Sequence, residues 1–144
     1  MSGKSRVFIS YDFEHDEDKK LLLAEQSRLP DSPFEIGDAS TKESLTGDWW
    51  DKVKSRMANI DVVIALCGVE AFLAKGMAAE LTIAQEKNTP YFLLEAYPDR
   101  SCTKPASAMS SDTVYNWTWD NLKTLICGWR CRTIRKVLVV RINY

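Results

Sequence analysis

Apolar residues in this chain fall into short blocks whose spacing alternates between strand and helix periods. Val7-Phe8-Ile9 is a β-forming block that stops at the polar step Ser10-Tyr11-Asp12. Asp16 then reads as a helix cap, with Glu17 and Asp18 in the first turn. Leu21 to Ala24 and Leu29 supply the apolar side of that helix, and Pro30 stops it. Phe34 to Ile36 predicts a short second strand, followed by a polar loop from Gly37 to Gly47 that is longer than most connections. Thr46 is the expected cap of the next helix, whose apolar positions Trp49, Trp50, Val53, Met57 and Ile60 keep helical spacing. Two adjacent tryptophans cannot both face inward on a helix, so one of them should be half-exposed.

Val62 to Cys67 is a continuous apolar run, as expected of a strand covered on both faces. A helix from about Phe72 to Lys87 follows, ended by Asn88 and Pro90, and Tyr91 to Glu95 is the fourth strand. After a Ser- and Pro-rich loop from Tyr97 to Asp112, Thr113 to Asn116 predicts a short fifth strand. Thr118 then caps a helix from Trp119 to Cys127, with Trp119, Leu122, Leu125 and Ile126 inward. This alternation predicts a three-layer α/β domain with right-handed crossovers. In such folds ligands bind beyond the carboxyl ends of the strands, where Ser10, Tyr11 and Asp12 fall.

The 144 residues suit one domain with a sizeable core, here residues 1–128. A formal net charge of −1 gives no global field toward nucleic acid or an anionic membrane, so neither is an expected partner. No apolar run is long enough to span a bilayer, and Met1 to Arg6 is short and polar, which leaves a cytoplasmic location as the expectation. Residues 129–144 are basic through Arg130, Arg132, Arg135, Lys136 and Arg141. Val137 to Ile142 has β character, so the tail is an added edge strand, a partly ordered end or a subunit contact.

Several motifs are excluded by their context. Gly3-Lys4-Ser5 precedes the first strand instead of following one, so it is no phosphate loop, and no dinucleotide-binding Gly-x-Gly-x-x-Gly occurs. Cys127 and Cys131 have no second pair at zinc-ligand spacing, Cys67 reads as a core residue, and Cys102 stands alone in the long loop. No metal and no disulfide is expected. The acidic residues Asp12, Glu14, Asp16, Glu17 and Asp18 fit either a hard cation or a solvated loop feeding a helix. His15, the single histidine, reads as solvated and remote, which argues against Ser-His or Cys-His catalysis.

Glu80 is the sharpest candidate. With Leu73, Met77, Leu81 and Ala84 forming one apolar stripe, Glu80 sits at its border beside the small Gly76, Ala78 and Ala79. A carboxylate there lines a pocket or reaches out to water; spacing alone leaves both open.

Taken together, Val7-Phe8-Ile9-Ser10-Tyr11, Gly37-Asp38-Ala39-Ser40, Ile60 to Leu66, Ala79-Glu80-Leu81, Pro90-Tyr91-Phe92 and Tyr115 to Leu122 resemble the Toll/interleukin-1 receptor (TIR) superfamily. The likeness covers about Arg6 to Gly128 and is nearest to the bacterial TIR-like branch that includes the signal-producing proteins of Thoeris anti-phage defence. It implies a flavodoxin-like fold with five parallel strands in the order 2-1-3-4-5. It also implies cleavage of the nicotinamide–ribose bond of NAD, hydrolytic or with cyclisation of ADP-ribose, with NAD as substrate and no cofactor. Glu80 falls on the family's catalytic glutamate; Ser10, Tyr11, Asp12, Asp38, Ser40 and Met77 fall on substrate-side positions. Many TIR enzymes carry Ser-x-Trp-Cys before that glutamate, whereas this chain has Ala74-Lys75-Gly76-Met77. The implied partners are NAD or a related nucleotide, further copies of the chain or other TIR-like domains, and a separate effector that receives the signal. The alternative is a non-catalytic TIR-like interaction module.

Overall fold

The Val62–Cys67 run becomes the middle strand of the sheet, and every one of its residues is buried. The computed structural model describes residues 4–41 and 47–130. In chain order the elements are β1 (Ser5–Ser10), α1 (Glu17–Gln26), β2 (Phe34–Ala39), α2 (Trp49–Arg56), β3 (Val62–Cys67), α3 (Lys75–Glu86), β4 (Tyr91–Glu95), β5 (Val114–Tyr115) and α4 (Trp119–Arg130). The five strands form one sheet in the order β2-β1-β3-β4-β5, and every pairing is parallel. The chain is therefore an α/β protein with the flavodoxin-like strand order.

Alternation along the strands divides the core into two layers. Val7, Ile9, Ile64, Leu66 and Leu94 meet Leu23 of α1 and Leu122 and Ile126 of α4 on one face. Phe8 and Val63 meet Trp49, Val53 and Ile83 on the other, beside a cluster of Ala65, Cys67, Met77 and Leu93. Trp49 is buried and Trp50 is exposed, as adjacency on a helix requires.

Four local expectations are corrected. β2 continues to Ala39, three residues past Ile36. The register with β1 slips between Val7 and Phe8, so that Ile36 pairs with Val7 and Asp38 with Phe8, and Gly37 is the extra residue of a bulge. α1 buries only Leu23, while Leu21, Leu22 and Leu29 are exposed. The helix ends at Gln26, and only a narrow stripe of it reaches the sheet. Asp16 makes no side-chain cap, because its carboxylate accepts the Tyr97 Oη–H at 2.8 Å. α3 starts at Lys75, not Phe72: Ala71–Leu73 is a separate 3-10 turn and Ala74 is extended at ψ 99°. Thr103 holds that turn in place, its hydroxyl accepting the Phe72 N–H at 3.1 Å and its own N–H bonding Gly68 O at 2.9 Å, which leaves Phe72 and Leu73 exposed.

Asp48 occupies the N-cap position of α2; Thr46 lies outside the described residues, as do residues 131–144 of the basic tail. α4 runs on to Arg130. Among the described residues no helix is long and apolar enough to cross a membrane.

Asn88 follows α3 in the left-handed region, at φ 57°. Asparagine and glycine accept this conformation and β-branched residues resist it. Asn88→Val should lower the unfolding free energy by about 1–2 kcal/mol, and Asn88→Gly should leave it unchanged or raise it. Urea denaturation of the two variants checks this.

Candidate active site

β1 delivers Ser10 at its carboxyl end, and β2 delivers Ser40 immediately beyond its own. Two hydrogen bonds lock these ends together: Ser40 N–H to Ile9 O at 2.9 Å, and Tyr11 N–H to Ser40 Oγ at 3.1 Å. α3 packs across the same region through Met77, Ala79 and Ile83, carrying Glu80 inward to 2 % exposure. Both serine hydroxyls donate to one carboxylate oxygen, Glu80 Oε1, from Ser10 at 2.7 Å and from Ser40 at 2.5 Å. The second oxygen, Oε2, has no hydrogen-bond partner among the described residues, yet it is not sealed from solvent-sized space.

Glu80 lines a cavity of about 690 Å³. The cavity lies beyond the carboxyl ends of β1, β2 and β3, and the strand order reverses between β1 and β3, the usual ligand crevice of open α/β sheets. Its walls carry the aromatic rings of Tyr11 and Phe13, centroids 6.1 Å apart, and the acids Asp12, Glu14 and Glu70. Lys75, in the first turn of α3, is its lysine. Another cleft, of about 460 Å³, runs along Tyr91–Leu93 and Ser111–Tyr115; its acid, Asp112, already accepts Tyr91 Oη–H and Met109 N–H.

Burial is the main force on Glu80 and pushes its carboxyl up to about 7; the two serine bonds and the Arg56 charge pull the other way. Burial and the nearby Glu17 carboxylate push the Tyr11 phenol up to about 12, so it stays protonated and donates to Glu17 Oε1 at 3.4 Å.

Five of the seven residues singled out from the sequence line this cavity: Tyr11, Asp12, Ser40, Met77 and Glu80. Ser10 and Ser40 touch Glu80 itself. Tyr11 and Asp12 form the wall above it, and Met77 is fully buried in the core with one side on the cavity. Asp38 does not line it. The longer β2 turns this residue toward α2, where Arg56 grips it with Nε at 2.7 Å and Nη2 at 2.6 Å.

His15 is placed differently from the sequence expectation: it is neither remote nor merely solvated. Its Nδ1 lies 2.7 Å from Asp12 Oδ2, its Nε2 lies 3.6 Å from Glu70 Oε2, and all three line the cavity mouth. The Asp12 hydrogen bond and charge raise its pKa above 6.5, with Glu70 and Glu14 adding to the effect. A hydrogen-bonding residue three positions after Asp12 in a tight loop was the available signal; its link to Glu70 depends on the fold. Arg56 was also missed, since from sequence it reads as a basic residue closing a helix.

Gly68 lets the β1 and β3 loops touch, because a Cβ there would collide with the Asp16 carboxylate. A Cβ on Gly76, by contrast, would meet nothing within 4 Å. Among the described residues no group of three or more His, Cys, Asp or Glu is arranged to hold a metal ion.

Comparison with known proteins finds no family model that matches the chain and no curated protein that matches it.

Two measurements test this geometry. Glu80 is harder to keep charged folded than unfolded, so its favourable contribution is complete below the unfolded value of 4.5 and is lost as pH rises through about 7. Glu80→Gln should therefore be more stable than the parent at pH 8 by on the order of 3 kcal/mol, with the gap closing toward pH 4.5. Because His15 is the single histidine, its imidazole proton signals are unambiguous in NMR. It should titrate above 6.5, and Asp12→Asn should bring the midpoint down.

Proposed function

We propose that this chain is a TIR-like enzyme that cleaves the nicotinamide–ribose bond of NAD and releases ADP-ribose in linear or cyclic form. The observation that carries the reading is the state of Glu80: nearly fully buried, one oxygen fixed by two serines, in a residue that lines a cavity.

Breaking an N-glycosidic bond builds positive charge on the ribose, as in glycoside cleavage. A pre-oriented carboxylate in a water-poor site stabilises that charge strongly, because it need not reorganise when the charge appears. Nicotinamide leaves as a neutral ring from a cationic one, so no general acid has to protonate it. One carboxylate is therefore sufficient. In this reading Ser10 and Ser40 aim Glu80, while Tyr11 and Phe13 offer ring faces to a flat ligand group. Asp12, Glu14 and Glu70 make the mouth acidic, which suits the cationic nicotinamide end better than the diphosphate. Lys75, in the first turn of α3, is where an anionic group is favoured. The open space at Gly76 supports a roomier site than one holding the family's tryptophan.

By the same resemblance, the product acts as a nucleotide signal on a separate effector protein in anti-phage defence, from a cytoplasmic enzyme that works as an assembly of like domains. The second reading is a non-catalytic TIR-like interaction module. Val69, Phe72 and Leu73 favour it: they are exposed apolar residues on the β3–α3 connection, at the cavity rim through Leu73.

Nicotinamide release from NAD, followed by chromatography across protein concentrations, separates the two. The enzyme reading expects release that rises with pH through about 7, as Glu80 becomes charged. It expects at least a ~100-fold loss in Glu80→Gln. Equal activity in that variant would refute the assignment of Glu80. No release at any concentration would favour the interaction module.

A further inference from the structure

Arg56 and Asp38 are a charged pair that the cavity chemistry above does not use. Arg56 closes α2, and its guanidinium makes a fork onto Asp38 through Nε at 2.7 Å and Nη2 at 2.6 Å. The same Nη2 donates to Ala39 O at 2.6 Å, and Nη1 reaches Thr41 Oγ1 at 3.4 Å. The residue between Ala39 and Thr41 is Ser40, whose hydroxyl donates to Glu80. One side chain thus holds the Ala39 backbone on one side of Ser40 and reaches the Thr41 hydroxyl on the other. The guanidinium also lies 5.9 Å from the ring of the fully buried Phe8, so it is braced from the sheet side.

We propose that Arg56 and Asp38 are positioning residues for Glu80: Arg56 clamps the end of β2 so that Ser40 stays aimed at the carboxylate, and Asp38 holds Arg56 in that pose. The assignment rests on the reading of Glu80 as the reacting group. It also moves Asp38 from a substrate contact to a support, because no part of Asp38 lines the cavity.

The pair acts on Glu80 by charge as well as by geometry. The Arg56 charge favours the Glu80 carboxylate and the Asp38 charge opposes it. Other polar and charged groups around Glu80 are Ser10 at the end of β1, Tyr11 just past it, Ser40 just past β2, and Asp12, Glu14, His15, Glu70 and Lys75 around the cavity. Removing Arg56 therefore deprives Glu80 of a cation and loosens Ser40, and both effects raise its pKa. Removing the Asp38 charge takes away a repulsion but also releases Arg56 from its pose, and these two effects oppose each other. A bidentate fork is also something lysine cannot reproduce.

The test is NMR of protein labelled with ¹³C at the glutamate carboxyl, with the Glu80 resonance assigned by its loss in Glu80→Gln. Arg56→Gln should raise the Glu80 midpoint by ~1 unit, and Asp38→Asn should move it less. Arg56→Lys, which keeps the charge and loses the fork, should hold the midpoint near that of the parent while the rate of NAD cleavage falls about tenfold. An unmoved or lowered midpoint in Arg56→Gln would overturn the proposal, and so would full activity in Arg56→Lys. If Arg56→Gln does not fold, Arg56→Lys decides, since full activity there contradicts the clamp. The midpoints are read without NAD. Absence of cleavage in every form would sink the enzyme reading while leaving the effect of the pair on Glu80 measured.

Discussion

A buried carboxylate shared by three elements organises this molecule. Glu80 comes from α3, Ser10 from the end of β1 and Ser40 from just past β2, and they converge on one oxygen atom. Burying a carboxyl group without partners is strongly unfavourable. Two hydroxyl donors offset part of that penalty, and the rest remains as a raised pKa. The arrangement is stable only while all three elements hold their places, which makes the geometry of the cavity floor inseparable from the packing of α3 on the sheet. A domain of this size tolerates one such local cost because the two core layers around the sheet are otherwise apolar.

The sequence made the scaffold legible where a residue type has one physical meaning. Val62 to Cys67 has no polar alternate positions, so it had to be a strand buried on both faces. Asn88 before Pro90 had to end a helix, and it does so at positive φ. Trp49 and Trp50 had to divide between inside and outside. Glu80 was legible only as a border residue. The fold gave it a pocket, and the two serines came with the ends of β1 and β2.

Polar residues whose partners lie far along the chain were not legible. Asp16 has the chemistry of a cap, but its partner is Tyr97, 81 residues away. Asp38 looked like a loop residue because the bulge at Gly37, which carries β2 three residues further, leaves no mark in hydrophobic periodicity. His15 bonds a near neighbour, Asp12, and a distant one, Glu70; only the first was within reach of spacing. The leucines of α1 show the opposite error. Periodicity promised an apolar face, and the sheet had room for Leu23 alone. In each case the missing information was a contact between segments, which a reading along the chain does not contain.

The bulge at Gly37 also bears on how copies of this protein meet. Parallel strands at a sheet edge offer unpaired backbone groups that can recruit another chain. Here one edge is β2, whose regular ladder is interrupted at the bulge and which carries the charged Glu35 and Asp38. The other edge is β5, only two residues long. Neither gives a neighbour a long, flat row to pair with. Among the described residues, growth of the sheet from molecule to molecule is therefore disfavoured at both edges.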